Sequence, residues 1–550
     1  MTAFQEERCP FTALDGLWSM VRLVARRERV ALAAWALVIA ALTAMFASMS
    51  VSSLPTHDEA VLQSSLIAGS PALRMFGPTF GATVGGYAVA RSLLTLVVLT
   101  ALANSFTVVR TTRRDEDDGS AELIGSAAVG RQARLVAALL VVGAFDLVVG
   151  LLVVPALACQ GMPAAGALLT GAAIAATGLV FAGVGALAAQ LASGARGANG
   201  LAGLALGGAF LASAAGSMLG TTTQDGTGVD PAWPMWLSPL GWSQQVRPFD
   251  GPRAWPLALC LAAFAALAAA AWWVSAHRDF GLGVIPERRG RGVAARSLAG
   301  PFGLVWRVER TGAISWSLAM LGTGLAFGSL AAGGLKMTGS AAQWYSQVAG
   351  SSDMVPAFRT AMVQMAALAA AVYAVLTVLR GRSDEVTGRS EPLHAATVSR
   401  VRWATVHAAH AVIGAAVLLA LFGLGLALAS GGDAGARLAQ VGKLVGAALS
   451  QLPAVLVVGG VAALAAGFVP RFAPAVAWPV LAASGLLGPT FGASLGVPAW
   501  VTGLSPLGHA PKAPAAPVAG APLLALAAVA VGLVVLGALA ARRRDLRLPA

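Results

Sequence analysis

The sequence predicts an all-α polytopic membrane protein with about 12 transmembrane helices, arranged as two tandem six-helix repeats. Three observations point there. Hydrophobic residues make up 57% of the 550 and charged residues only 11%, with mean hydropathy +0.75. A soluble domain carries about 25% charged residues. The apolar residues gather into twelve stretches near the ~20 residues a helix needs to cross a bilayer, without the strict alternation of a barrel. Finally, the chain repeats itself. Arg113, Asp115, Glu116, Gly119, Glu122, Val129 and Arg131 match Arg382, Asp384, Glu385, Gly388, Glu391, Val398 and Arg400 without a gap.

Taken in chain order, residues 12–29 place Leu14, Leu17, Val21 and Val24 at helical spacing, with Arg22, Arg26 and Arg29 on another face. That pattern predicts an amphipathic helix lying in the membrane interface. Arg26, Glu28, Arg29 and Trp35 recur as Arg307, Glu309, Arg310 and Trp316. Spans are expected near 30–52, 86–109, 134–158, 165–191, 198–219 and 254–276. The second half gives 313–334, 358–379, 404–430, 442–467, 472–490 and 519–541. The expected division is a first half 1–277, a cytoplasmic linker 278–302 and a second half 303–550.

The loops 110–133 and 380–403 carry the strongest repeat. Each opens with mixed charge, passes a Gly and continues as a short amphipathic stretch, Glu122-Leu123-Ile124 or Glu391-Pro392-Leu393. A loop that only sets topology needs Lys and Arg. Repeated acids instead suit a helix that docks on a soluble partner, with apolar anchors and charges fixing register. The outer segments 220–253 and 491–518 are rich in Pro, Gly and Trp. They share Leu-Ser-Pro-Leu-Gly, at 237–241 and 504–508. The key residues are Ser238, Pro239 and Gly241, matched by Ser505, Pro506 and Gly508. The motif reads as a turn that starts or breaks a helix, and is expected to be re-entrant.

Charge distribution sets the expected orientation. With the N-terminus inside, 28 of the 37 Lys and Arg fall on inner segments, as the positive-inside rule requires. Both termini are then cytoplasmic, in a plasma membrane. The same distribution explains the net charge of +13 without nucleic acid. The start of the chain shows no short apolar region with a cleavage site, so the first span is expected to act as the targeting signal.

Several chemistries find no support. None of the three Lys stands in a phosphate-binding Gly-x-x-x-x-Gly-Lys-Ser/Thr motif. The three Cys form no metal or redox spacing. His407 and His410 stand three residues apart without a third ligand and are expected at the interface. No nucleophile elbow or catalytic carboxylate pair is present, and neither a metal nor a cofactor is expected. Within the spans, Asp146 lies about midway along the third and Arg91 near the outer part of the second. An intramembrane acid is a functional candidate, with Arg91 as its expected partner.

The Arg-x-Asp-Glu-x-x-Gly-x-x-Glu loop and the segments 237–249 and 504–511 resemble the large permease subunits of actinobacterial ABC-2-type exporters, the tetronasin/polyketide-antibiotic group. The resemblance covers essentially the whole chain. It implies two fused six-span halves of ABC-2 type, each with an interfacial helix before its first span. It also implies a coupling helix after the second span and a re-entrant element before the sixth. The ATPase, in two copies, would be a separate polypeptide, and this chain no enzyme. Arg113, Asp115, Glu116, Gly119, Glu122, Arg382, Asp384, Glu385, Gly388 and Glu391 would then contact the ATPase. A departure is Pro392, which breaks the second loop where Leu123 stands in the first and implies unequal docking. The expected function is ATP-driven export of amphipathic, drug-like molecules. A proton-coupled antiporter would need a relay of membrane ionisable groups. An enzyme acting on lipid-linked substrates would need a cluster of acids or His at an interface.

Overall fold

The computed structural model describes residues 12–285, 293, 295–298, 300–332, 345–396, 398–488 and 498–543. It divides into two units, Met1–Gly290 and Arg291–Ala550. The boundary falls inside the expected linker. Among the described residues, eleven helices are long and apolar enough to cross a membrane, six in the first unit and five in the second.

In the first unit, α1 (Leu17–Ser53) runs unbroken for 37 residues. The interfacial segment expected over 12–29 is therefore, from Leu17 on, the start of the same rod as the first span. The physical reason is local: after Gly16, which caps the helix with φ 71°, neither Gly nor Pro occurs before its end. A short helix α2 (His57–Gly69) follows, opened by a reciprocal Thr56–Glu59 cap. The remaining long helices are α3 (Val84–Val109), α5 (Ala133–Ala158), α6 (Ala164–Leu191), α7 (Ala195–Met218) and α9 (Trp255–His277). Among the shorter helices between them are α4 (Ser120–Gly125) and α8 (Pro239–Gln245).

Helix α6 is the hub of this unit and packs against α3, α5 and α9. Its sequence explains why, since Gly and Ala dominate it and admit close backbones. Gly171 of α6 meets Gly150 of α5 in this way. A small hairpin pairs β1 (Thr221–Thr222) with β2 (Val229–Asp230) near the end of α7.

The second unit holds α10 (Pro301–Ala332), α11 (Met354–Val386), α12 (Glu391–Ala396) and α13 (Arg400–Leu428). These are followed by α14 (Ala434–Leu449), α15 (Leu452–Phe468), α16 (Ala473–Leu486) and α17 (Gly520–Arg543). Pro453 marks the join between α14 and α15. The stretch expected to span over 472–490 forms α16, of only 14 residues. That is about 21 Å at 1.5 Å per residue, short of a ~30 Å hydrocarbon core. Residues 489–497, which hold the end of that expected span and part of the outer segment 491–518, lie outside the described residues.

Candidate functional site

Two of the repeated acids of the first loop, Asp115 and Glu116, are buried in the protein and anchor a short helix with an exposed outer face. The chain leaves α3 through a π turn, Arg110–Arg114. Arg113 is completely buried. Its guanidinium bonds Glu116 at 2.9 Å and donates to the carbonyls of Ser193, Gly281 (2.8 Å) and Leu282 (3.3 Å). Glu116 accepts in addition from Arg134 (3.0 Å) and Arg278 (2.7 Å). Asp115 takes a two-pronged bond from Arg27 at 2.9 and 3.0 Å. Asp117 accepts from the Ala195 amide at 2.7 Å, at the start of α7. This one turn therefore binds together α1, α5, the α6–α7 junction and the chain after α9.

Gly119 follows with φ 74°, a conformation that favours glycine, and reverses the chain into α4. Ala121 is buried and Ile124 packs toward Met20, Ala133 and Ala137. Glu122 and Leu123 face outward, and Leu123 is 77% exposed. Behind α4, the Gly130 amide donates to the Asp15 carbonyl at 2.8 Å and that of Gln132 to Ala13 at 3.0 Å. The sequence set all the loop acids together as partner contacts. The structure separates them: Arg113, Asp115 and Glu116 are internal, whereas Glu122 is at the surface.

The second unit repeats parts of this arrangement. Arg382 donates to the Pro470 carbonyl, in the connection between α15 and α16. Asp384 and Glu385 are half-buried, and the Asp384 carbonyl accepts from the Ser390 amide at 3.2 Å. Gly388 again has φ 72° and leads into α12, where Glu391 is exposed and Leu393 packs against Val305, Trp403 and Val406. Pro392 does not break this segment. It is the second residue of α12, where a helix has no use for the missing amide hydrogen.

Acids on each unit's first helix meet the same region. Glu28 pairs with Arg110, and Glu309 lies 3.8 Å from both Arg380 and His407. Arg110 stands three residues before Arg113, but Arg380 stands two before Arg382. The π turn takes up the extra residue in the first unit. His407 and His410, expected at the interface, are buried, at 3% and 5% exposure.

Leu-Ser-Pro-Leu-Gly has a physical explanation. Ser238 caps α8, accepting from the Leu240 and Gly241 amides while donating to the Ala209 carbonyl of α7 at 2.6 Å. Pro239 occupies the first turn. A side chain at Gly241 would strike the Met235 carbonyl. In the second unit Ser505 donates to the Ser484 carbonyl of α16 at 2.8 Å, Pro506 starts a single 3-10 turn, and Gly508 leaves room for Thr502. In both, serine ties the motif to the helix before it.

Beside α8, Asp250 sits against Gly81 and Gly86. Burial pushes its carboxyl above the usual carboxylate range, opposed by hydrogen bonds from Thr83. A folded-state pKa above the unfolded value means that the folded form binds the extra proton. The stabilisation is then present at low pH and is lost as pH rises through the raised pKa. Hydrogen exchange at the Arg253 amide, which donates to Val246 at 2.8 Å, should therefore quicken as pH rises beyond its intrinsic pH dependence. Asp250→Asn should remove that excess.

Asp146 meets Asn104 rather than Arg91. Both carboxylate oxygens lie within 2.8–2.9 Å of Asn104 Nδ2. Arg91 is exposed on α3, 13 positions from Asn104 or about 20 Å along the helix, too far up to serve. Asn104 Oδ1 is buried without a hydrogen bond. A side chain at Gly178 of α6 would run into Asp146 Oδ1 and approach Asn104 Nδ2 to 2.8 Å. Three helices thus close around one polar pair. A lone Asn inside an apolar run was the available signal for it.

Long apolar helices with their charge gathered into buried networks at the helix ends define a multi-pass membrane protein. The chain is 36% identical over 544 residues to the multidrug efflux system permease protein Rv1217c of Mycobacterium tuberculosis, covering 98% of this chain and 96% of that protein. Residues 298–542 match the family model described as the C-terminal domain of multidrug efflux system permease Rv1217c. The chain belongs to this family of efflux permeases.

Proposed function

We propose that this chain is the membrane subunit of an ATP-driven, ABC-2-type exporter that moves amphipathic, drug-like molecules out of the cell. ATP is hydrolysed on separate ATPase subunits, in two copies, which dock on α4 and α12. The carrying observation is the division of labour in the first loop. Buried ion pairs hold α4 in place, and Glu122 and Leu123 are left at the surface. Paired features of the two units support two tandem halves: Arg113 with Arg382, Glu28 with Glu309, and Ser238 with Ser505. The relative's name supports drugs as cargo. The motifs at Ser238–Gly241 and Ser505–Gly508 would be the outer re-entrant elements, and the Arg-rich ends cytoplasmic. Gly119 and Gly388 turn the chain into the docking helices, and Asp115, Glu116, Asp384 and Glu385 act through their support.

Co-expression with the ATPase tests this. Leu123→Asp and Glu122→Arg should leave membrane insertion intact and cut ATPase co-purification about tenfold or more, the loss of one interface anchor. Export should need ATP and survive collapse of the proton gradient. Full ATPase recovery with both variants, or export driven by a pH step without ATP, would overturn the proposal.

A further inference from the structure

We propose that the second unit binds a slim amphipath within the membrane, its apolar body in a chamber among α11, α13, α15 and α17 and its polar end at His407. If the export reading holds, this is its substrate class: molecules with an unbranched chain and a neutral hydroxyl or carbonyl head.

The chamber has a volume of ≈ 440 Å³ and is lined by residues such as Val412, Leu456, Gly460, Ala530 and Val531. Apart from Thr405 its lining residues are apolar. Water gains no partners on such walls, and apolar cavities stay dry. The chamber is open on one side, with Val412, Val531 and Val535 38%, 62% and 48% exposed, so in a bilayer it takes up hydrocarbon rather than water. Hydrocarbon is the filling that fits.

The head position comes from an independent observation. A narrow neck of ≈ 40 Å³ adjoins the chamber, and the two share Val378, Ala408 and Val534 in their walls. Gly381, Arg382, Trp403 and His407 line the neck. His407 is 97% buried; the Thr377 backbone lies beside its ring, neither ring nitrogen meets full hydrogen-bond geometry, and Glu309 is 3.8 Å away. Buried polar groups are nearly always satisfied. An imidazole both donates and accepts, so a neutral head with a hydroxyl or carbonyl completes it. Gly381 makes the space, since a side chain there would press on the imidazole at 2.8 Å.

The test is photo-crosslinking of the full chain in phosphatidylcholine nanodiscs, using photoactivatable hexadecanol and photoactivatable hexadecane as probes. Label from both should concentrate on 405–412 and 527–535. Ala409→Phe and Ala527→Phe, on separate helices, should each reduce it about tenfold by filling the chamber. His407→Phe should weaken hexadecanol labelling about tenfold, the range of one hydrogen bond, and leave hexadecane unchanged. Label spread evenly over the helices, or indifferent to both filling variants, overturns the site. Equal loss of both probes in His407→Phe overturns the head assignment. Displacement of hexadecanol by a modest excess of phospholipid assigns the chamber to bulk lipid and overturns the substrate reading. The export reading fails separately, if labelling is as stated and no ATP-dependent transport occurs.

Discussion

Glu116→Gln should unfold the Arg-rich end of the first unit, whereas Glu122→Gln should leave stability unchanged. Glu116 is the shared counter-ion of Arg113, Arg134 and Arg278, and its side chain is 3% exposed. The isosteric amide keeps the shape and can keep some hydrogen bonds. It removes the negative charge. Among the described residues, Arg113 then retains only Asp117, at 3.5 Å, as an ion-pair partner. Uncompensating a buried pair costs about 3–5 kcal/mol, and three guanidiniums are affected here. The measurement is thermal unfolding of the purified permease in detergent, with limited proteolysis around 119–130. The expected result is a large loss of stability and cleavage near Gly119. Glu122 is exposed, and a surface charge contributes ~0–1 kcal/mol. Unchanged stability of Glu116→Gln with lost ATPase binding would return this residue to the partner interface.

That pair of residues shows what the sequence could and could not convey. Hydropathy located the long helices, because a span must satisfy its backbone internally and therefore be long and apolar. The repeat located the loops, but not that Gly119 and Gly388 turn the chain with φ 74° and 72°. Burial was not legible. A repeated acid means that something must be met, and sequence does not say whether the partner is another protein or an arginine 162 positions along, as for Glu116 and Arg278. The same gap explains Asp146. Acid-to-base pairing is the natural guess from sequence, but the fold brought a neutral Asn104 from the neighbouring helix. The unbroken α1 was legible in principle from its lack of Gly and Pro. The change from amphipathic to apolar pattern at residue 30 suggested two elements, although pattern alone does not bend a helix. Pro392 was misjudged by position, since a proline is damaging inside a helix and harmless in its first turn.

The Asn104–Asp146 pair gives the second large effect. Asp146→Leu should destabilise the first unit by about 1–3 kcal/mol, because it strands the buried Asn104 amide with no acceptor. Asn104→Leu should do the same from the other side. The double variant should recover most of the loss, since replacing both partners by apolar groups leaves no orphan. A coupling of about 0.5–3 kcal/mol between them is the expected cycle result. Gly178→Ala should be as harmful as either single change, because its methyl group would enter the space that Asp146 and Asn104 Nδ2 occupy. Arg91→Leu should leave stability unaltered. Thermal unfolding reads all five, and dye export is measured beside it. If the pair only joins α3, α5 and α6, the stable double variant exports at close to the native rate. If the double variant is stable but export is lost, Asp146 belongs to the transport path, and a proton- or ion-linked step becomes the better account of this unit.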